Sequence, residues 1–386
     1  MKKKLLFING HLNSGGVEKA LTDLLNHLDY SRYDVDLLLL EEMGDYVDQI
    51  PRQVNIKLKS LRNTYGAFSQ CMLRCLRERD WFCLKIRLIF LIMKFFGQAK
   101  LRFATRLLTD NVCYDCVVGF RPGICTQIAS FATKAKKRVA WWHHGEINVA
   151  HNEYLASVVN CDFVVTVSDS CKCMLARAFP SIEQKLVVIS NIIDVDSIKR
   201  KAALYEPYAE VDVLNIVSVG RLAPEKHFEN AIYAASELKK RGVAFKWHLV
   251  GDGVLREALL ELVEKLNVSD CFDFEGNQPN PYPYVKWADL FVHTSYVESF
   301  GLVVAEALVL GLPCVVTKSS GVLEFLQDGD NALLTDQSPE ALTEKVIHAV
   351  ENGAIRDRLR HNTRCPEQFM PSAVIREIED LLERRL

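Results

Sequence analysis

Lys4-Leu-Leu-Phe-Ile-Asn9, Gly10-His-Leu-Asn-Ser-Gly-Gly16 and Val17-Glu-Lys-Ala-Leu-Thr-Asp-Leu-Leu-Asn-His-Leu28 open the chain as a short apolar run, a glycine-containing loop and an amphipathic segment. A brief apolar run bounded by a turn and followed by apolar residues at helical spacing predicts strand, loop and helix. The unit recurs. Asp34 to Leu40, Tyr114 to Gly119, Arg138 to Trp142 and Asp162 to Val167 read as buried parallel strands with helical segments between most of them. Residues 1–193 are thus predicted to form a doubly wound, Rossmann-like α/β domain. The polar stretch from Asp194 to Asp212, with Pro207 inside it, breaks the alternation and is expected to be a linker over 194–211. The rhythm then resumes with Val213 to Val219, Phe245 to Val250, Cys271 to Glu275, Leu290 to His293 and Pro313 to Thr317, a second sheet of the same type within 212–368. Residues 369–386 are expected as a final helix that can pack back on the first domain. Two such domains in series are expected to face each other across a crevice at the carboxyl ends of their strands, where ligands bind in open α/β folds.

Length and composition agree with this division. A chain of 386 residues exceeds the ~250–300 at which a single core stops growing. An apolar share of 49% against 25% charged residues fits a packed enzyme and excludes a mostly disordered chain. The net charge of −2, with the signs well mixed, offers no global basic field for nucleic acid. Twelve cysteines are scattered through apolar segments. Cys113 and Cys116, like Cys171 and Cys173, lack a second metal-spaced half, so structural thiols in a reduced, cytoplasmic protein are expected, with no metal. Arg87 and Lys94 interrupt the longest apolar run, so no spanning helix is predicted.

The chemistry is concentrated in three places. In Glu298-Ser-Phe-Gly-Leu-Val-Val-Ala-Glu306, a loop after an apolar strand leads into a helix, for which Ser299 is the expected cap. Glu298 is expected in the loop and Glu306 about two turns into the helix. The two carboxylates would line one pocket, suited to gripping sugar and ribose hydroxyls. In Ser218-Val-Gly-Arg221-Leu-Ala-Pro-Glu-Lys226-His, an arginine and a lysine five residues apart follow another strand. Together they can neutralise a diphosphate leaving group without a metal ion. The loop from Gly10 to Gly16 lets backbone approach a ligand, but lacks both the Gly-Lys-Ser/Thr ending of a nucleoside triphosphatase loop and the full dinucleotide spacing.

Taken together, these parts resemble glycosyltransferase family 4, the retaining enzymes of the two-domain GT-B fold, over nearly the whole chain. The resemblance implies that Glu298 contacts the transferred sugar and Glu306 the donor ribose, with Arg221 and Lys226 on the diphosphate. It likens Gly15 and Gly16 to the family's first-domain glycine loop, and the backbone around Ser299, Phe300, Gly301 and Leu302 to its sugar and phosphate contacts. Gly251 in Val-Gly-Asp-Gly resembles the turn beside the nucleotide base. In Trp141-Trp-His-His144-Gly-Glu146, His144 is favoured over His143 as the family's crevice histidine, and Asn191 resembles the asparagine before the inter-domain linker. The family implies a nucleotide sugar, most often a UDP-sugar, as substrate. It implies no cofactor or metal, and a glycan or polyprenyl-linked acceptor in surface polysaccharide synthesis.

One segment stands apart from that chemistry. Residues 61–108 carry ten Lys or Arg against two acidic residues, interleaved with Trp81, Phe82, Phe90, Phe95 and Phe96. Such a stretch can lie on an anionic bilayer at the inner face of a membrane, or form a core helix pair with snorkelling basic residues. Two other functions compete with transfer: a nucleotide-sugar epimerase of the same architecture, which needs extra acid and base groups, and a catalytically inactive binding module of polysaccharide assembly.

Overall fold

The computed structural model describes residues 2–147, 155–208 and 213–384. The chain divides into two compact units, Met1–Ile192 with Val374–Leu386, and Ile193–Ala373.

The first unit is built on a parallel sheet. Among the described residues its strands are β1 (Lys3–Asn9), β2 (Tyr33–Leu39), β3 (Val54–Leu58), β4 (Cys113–Gly119), β5 (Lys134–Trp142), β6 (Phe163–Thr166) and β7 (Leu186–Val188), in the order β3-β2-β1-β4-β5-β6-β7. The central strands are apolar on both faces because helices cover both, and Leu5, Phe7, Val117 and Val139 have no exposed surface. Chain direction around the sheet reverses between β1 and β4, which makes a switch point there. The helix Pro371–Glu383 belongs to this unit through its last ten residues. Buried Lys137 donates its ammonium to the carbonyls of Leu381, Leu382 and Arg384, taking up oxygens that the helix end leaves unpaired.

The second unit repeats the plan with β8 (Leu214–Val219), β9 (Phe245–Val250), β10 (Phe272–Gly276), β11 (Leu290–His293), β12 (Cys314–Thr317) and β13 (Leu333–Thr335), in the order β10-β9-β8-β11-β12-β13. Its switch point lies between β8 and β11. Trp247 is fully buried on one side of this sheet and donates its indole N–H to Ser218 Oγ, whose hydroxyl donates to the Val292 carbonyl. The large apolar ring is thus packed without leaving its polar edge unpaired.

Several expectations change. The edge strands β3 and β13 have no counterpart in the sequence reading, being short and flanked by polar residues. The stretch read as a linker from Asp194 is helical over Val195–Ala202, because Asp194 caps it by accepting from Ser197 N–H at 2.9 Å while Ile198 and Ala202 turn inward. In residues 61–108 the helices Phe68–Arg77 and Trp81–Phe96 bury Cys71, Cys75, Cys83, Ile86 and Ile89 but leave Trp81, Phe95 and Phe96 exposed. The segment therefore has a core face and an uncovered aromatic face. No helix among the described residues is long and apolar enough to cross a membrane.

Candidate active site

The loops that follow β8 and β11 meet at the switch point of the second sheet. The first passes Gly220 and Arg221 into the single turn Pro224–Lys226, after which His227 takes a left-handed conformation. Three hydrogen bonds join this turn to the second loop. Thr294 Oγ1 donates to the Lys226 carbonyl at 2.5 Å, Ser295 Oγ to the Glu225 carbonyl at 3.1 Å, and Tyr296 N–H to the same carbonyl at 3.4 Å. The His227 ring stacks on Tyr296 at 3.8 Å. The backbone of the basic loop is therefore held in place, and its long side chains supply the freedom.

Lys226 uses that freedom to reach Glu298, its Nζ lying 2.5 Å from Oε1. His293, the last residue of β11, brings Nε2 to 3.1 Å from the same oxygen. Both acid and imidazole are almost enclosed, with side chains 13% and 4% exposed. Burial by itself raises the carboxyl pKa, but the Lys226 charge and the His293 contact outweigh it and hold Glu298 well below the usual carboxylate range. Glu298 is thus an ionised carboxylate paired with Lys226 and in close contact with His293. Arg221 is directed elsewhere. It is 69% exposed and pairs with Glu225 at 2.7 Å.

Glu306 has different company. The helix Leu302–Val309 begins after Gly301, whose positive φ of 88° makes it the N-cap with no side-chain cap. Ser299 is therefore not the cap, and Glu306 stands just over one turn into the helix, not two. Only 5% exposed, Glu306 accepts a hydrogen bond from the Tyr282 hydroxyl at 3.0 Å. Phe300 turns into the core against Phe325 and Phe369, which leaves its backbone, with those of Gly301 and Leu302, as the part that remains for a ligand. Gly251, at φ 140°, packs on Gly220 so closely that a Cβ there would sit 1.9 Å from the Gly220 carbonyl oxygen. This turn has no room for any other residue.

At the first unit's switch point, Gly15 precedes the helix Gly16–His27 in extended backbone. A Cβ on Gly15 would meet Glu18 Oε2 at 2.5 Å. Glu18 is buried beneath the loop, its Oε1 3.4 Å from both Asn9 Nδ2 and Arg121 Nη1. Of the two adjacent histidines, His144 is exposed and sits edge-on to Trp142, whereas His143 is buried between Phe120 and Trp141. Burial, with the nearby His144 and Arg121 charges, pulls the His143 pKa down to about 3, and its Nε2 has no hydrogen-bond partner. Asn191 is buried just beyond β7.

Three contributors are absent from the sequence reading. His293 ends a strand that reads as plain core. Tyr282 precedes Glu306 by 24 residues with no local pattern linking them. Gly321 donates its N–H to the Glu298 carbonyl at 3.2 Å, and a Cβ there would lie 2.5 Å from the Ser299 carbonyl carbon, so its place in Lys-Ser-Ser-Gly after β12 is the one legible signal. As to metal ligands, Cys113 is exposed and Cys116 buried on opposite faces of β4, and Cys171 and Cys173 differ likewise. His248, Asp273 and Glu275 bring ligand atoms within 4.8 Å of one another. Both His248 nitrogens already meet partners, Glu275 and Asn215, and Lys246 lies 3.5 Å from Asp273.

Comparison with solved structures defines the class. Anabaena HepE, solved with UDP and glucose, superposes with a TM-score of 0.72 at 17% identity, covering 99% of this chain and 100% of that one. Staphylococcus aureus TarM gives 0.74 at 13%, with coverage of 99% and 100%. These likenesses establish the GT-B architecture, two Rossmann-like units on parallel sheets. By sequence, residues 207–365 match the model of the glycosyl transferases group 1. A lipopolysaccharide core biosynthesis glycosyltransferase of Rhizobium meliloti is 33% identical over 184 residues, 46% of this chain and 51% of that protein, so this match spans only about half of the relative. An N-acetylgalactosamine-N,N'-diacetylbacillosaminyl-diphospho-undecaprenol 4-alpha-N-acetylgalactosaminyltransferase of Campylobacter jejuni is 27% identical over 88% of this chain and 87% of its own.

Proposed function

We propose that this chain is a retaining, metal-independent glycosyltransferase that moves a sugar from a nucleotide sugar, a UDP-sugar first among candidates, onto a glycan or lipid-linked glycan of surface polysaccharide. The observation that carries the reading is the buried, ionised Glu298 in contact with Lys226 at the switch point of the second sheet. A carboxylate there accepts hydroxyl hydrogen bonds from a sugar, and the lysine beside it meets the diphosphate as the bond to the sugar breaks. Arg221 adds a second cation on a side chain exposed enough to turn from Glu225. Glu306, held by Tyr282, takes the ribose hydroxyls. The backbone from Ser299 to Leu302 takes the phosphates and sugar, and Gly251 takes the base. In the first unit Gly15, Gly16, His144 and Asn191 are assigned to the diphosphate and acceptor. The match of residues 207–365 to the glycosyl transferases group 1, the UDP and glucose held by HepE, and the lipid-linked substrate in the Campylobacter relative's name support this reading.

The test is a panel of nucleotide sugars without added metal, read by thermal shift and by donor hydrolysis, on the wild type and on Glu306→Ala. A donor that stabilises the wild type and loses that effect in Glu306→Ala supports the donor site. Indifference to every nucleotide sugar would sink the transferase reading. The anomeric proton of the product, seen by NMR, decides retention, and turnover unchanged by EDTA decides metal independence.

We also propose that the exposed aromatic face of the helix Trp81–Phe96 rests on an anionic bilayer at the inner face of the cell membrane. Phe95 and Phe96 are 72% and 70% exposed amid the basic excess of residues 61–108. Replacing both with serine is expected to weaken cosedimentation with vesicles of anionic phospholipid by about tenfold or more. Equal binding by wild type and variant would remove this surface from the reading.

A further inference from the structure

We propose that His293 is a positioning residue which holds the Glu298 carboxylate in place when Lys226 turns from it to the donor diphosphate. This rests on the transferase reading above. The geometry sets the problem. One ammonium sits 2.5 Å from Glu298 Oε1, and the same ammonium has to meet a diphosphate during transfer. A lysine is a point charge on a flexible stem, and two phosphates outbid one carboxylate for it. Glu298 is nearly enclosed, and a buried carboxylate that loses its partner carries a large desolvation cost. Left alone it would take up a proton or leave its position, and either would spoil the contact with the sugar.

His293 already stands where a replacement is needed. Its Nε2 is 3.1 Å from the oxygen that Lys226 grips, and with the lysine in place that atom makes no hydrogen bond among the described residues. When Lys226 leaves, a small adjustment of the carboxylate lets a proton on Nε2 be donated to Oε1. The ring cannot follow the lysine, because His293 is paired in the sheet opposite Val316 and is almost wholly buried. The other members are held by backbone: the Lys226 carbonyl by Thr294 Oγ1 and the Glu298 carbonyl by Gly321 N–H. The mobile part of the cluster is therefore the lysine stem. On donor binding Lys226 moves to the phosphate while His293 keeps the carboxylate ionised and aimed.

His293→Leu removes the donor, and His293→Gln keeps an N–H near the same place. At saturating UDP-sugar, His293→Leu is expected to lose about 10- to 100-fold in kcat, the scale of one hydrogen bond to a charged group, with donor KM within about twofold of wild type. His293→Gln is expected to recover most of that loss, which a role in packing alone would not produce. A cycle without substrate supplies an independent readout. His293→Leu should shift the urea midpoint further in a Lys226→Met background than in wild type, because only there does Glu298 lose both partners. Full turnover by His293→Leu, equal loss in His293→Gln and His293→Leu, or additive midpoint shifts would each overturn the exchange and leave the transferase reading intact. A wild type inert toward the whole UDP-sugar panel would overturn both.

Discussion

His143 and His293 are the same side chain in the two sheets, and they have opposite prospects. His143 directly follows β5 and His293 ends β11, and each is at least nine-tenths covered. His143 lies among Phe120 and Trp141, where nothing stabilises a charge, and its pKa falls to about 3. His293 instead faces a carboxylate that shares its oxygen with a lysine. Burial makes the first imidazole a neutral filler, and a charged neighbour makes the second a partner in chemistry. The same contrast separates the two switch points. Glu18 is tucked beneath its own glycine loop with 3.4 Å contacts to Asn9 and Arg121, which supports that loop, whereas Glu298 meets a mobile cation at 2.5 Å.

The hardest test of that contrast is Lys226→Ala, expected to reduce kcat by about 10²–10³-fold with the melting transition kept, the loss typical of one preorganised charge-stabilising group. Unchanged turnover would make the second switch point as structural as the first. Next comes acid stability. Unfolded His143 takes a proton near 6.5 and the folded side chain only near 3, so between those values the unfolded state binds more protons and stability falls as pH drops. At pH 5 the cost is about 2 kcal/mol on linkage arithmetic. His143→Phe should flatten the stability profile from pH 6.5 down to 4 in urea titrations, and an unaltered slope would show that His143 is not the acid-sensitive group. The smallest effect is expected from Tyr282→Phe. Losing one hydrogen bond to Glu306 should raise donor KM about threefold to tenfold and leave kcat nearly unchanged. A fall in kcat instead would erase the distinction between the roles proposed for Glu306, in binding, and Glu298, at the reacting sugar.

Much of the architecture was legible because central parallel strands are continuous apolar runs, and helices between them carry an apolar stripe. The edge strands Val54–Leu58 and Leu333–Thr335 were not, since the first is only partly buried and the second is three residues long, too short to show a pattern. The helix at Asp194 was hidden by its charge: Lys199 and Arg200 face outward, and two inward residues sufficed to dock it. At the site, the glutamate pair and the basic loop could be read from spacing. The start of the helix could not, because a serine two residues before Gly301 is an equally good cap on paper, and the positive φ of Gly301 decides the matter.

The sequence by itself determined the two α/β units and the residue types of the candidate site, because these follow from local period and short-range spacing. Only the tertiary structure decided the partners: Lys226 on Glu298 across 72 residues, His293 beneath the same oxygen, Tyr282 on Glu306, and Gly321 under the Glu298 loop. The physical reason is that parallel strands adjacent in space are separated in sequence by whole crossover helices. The loops at their ends meet without any periodic trace in the chain, and the charge state of a side chain there depends on that meeting.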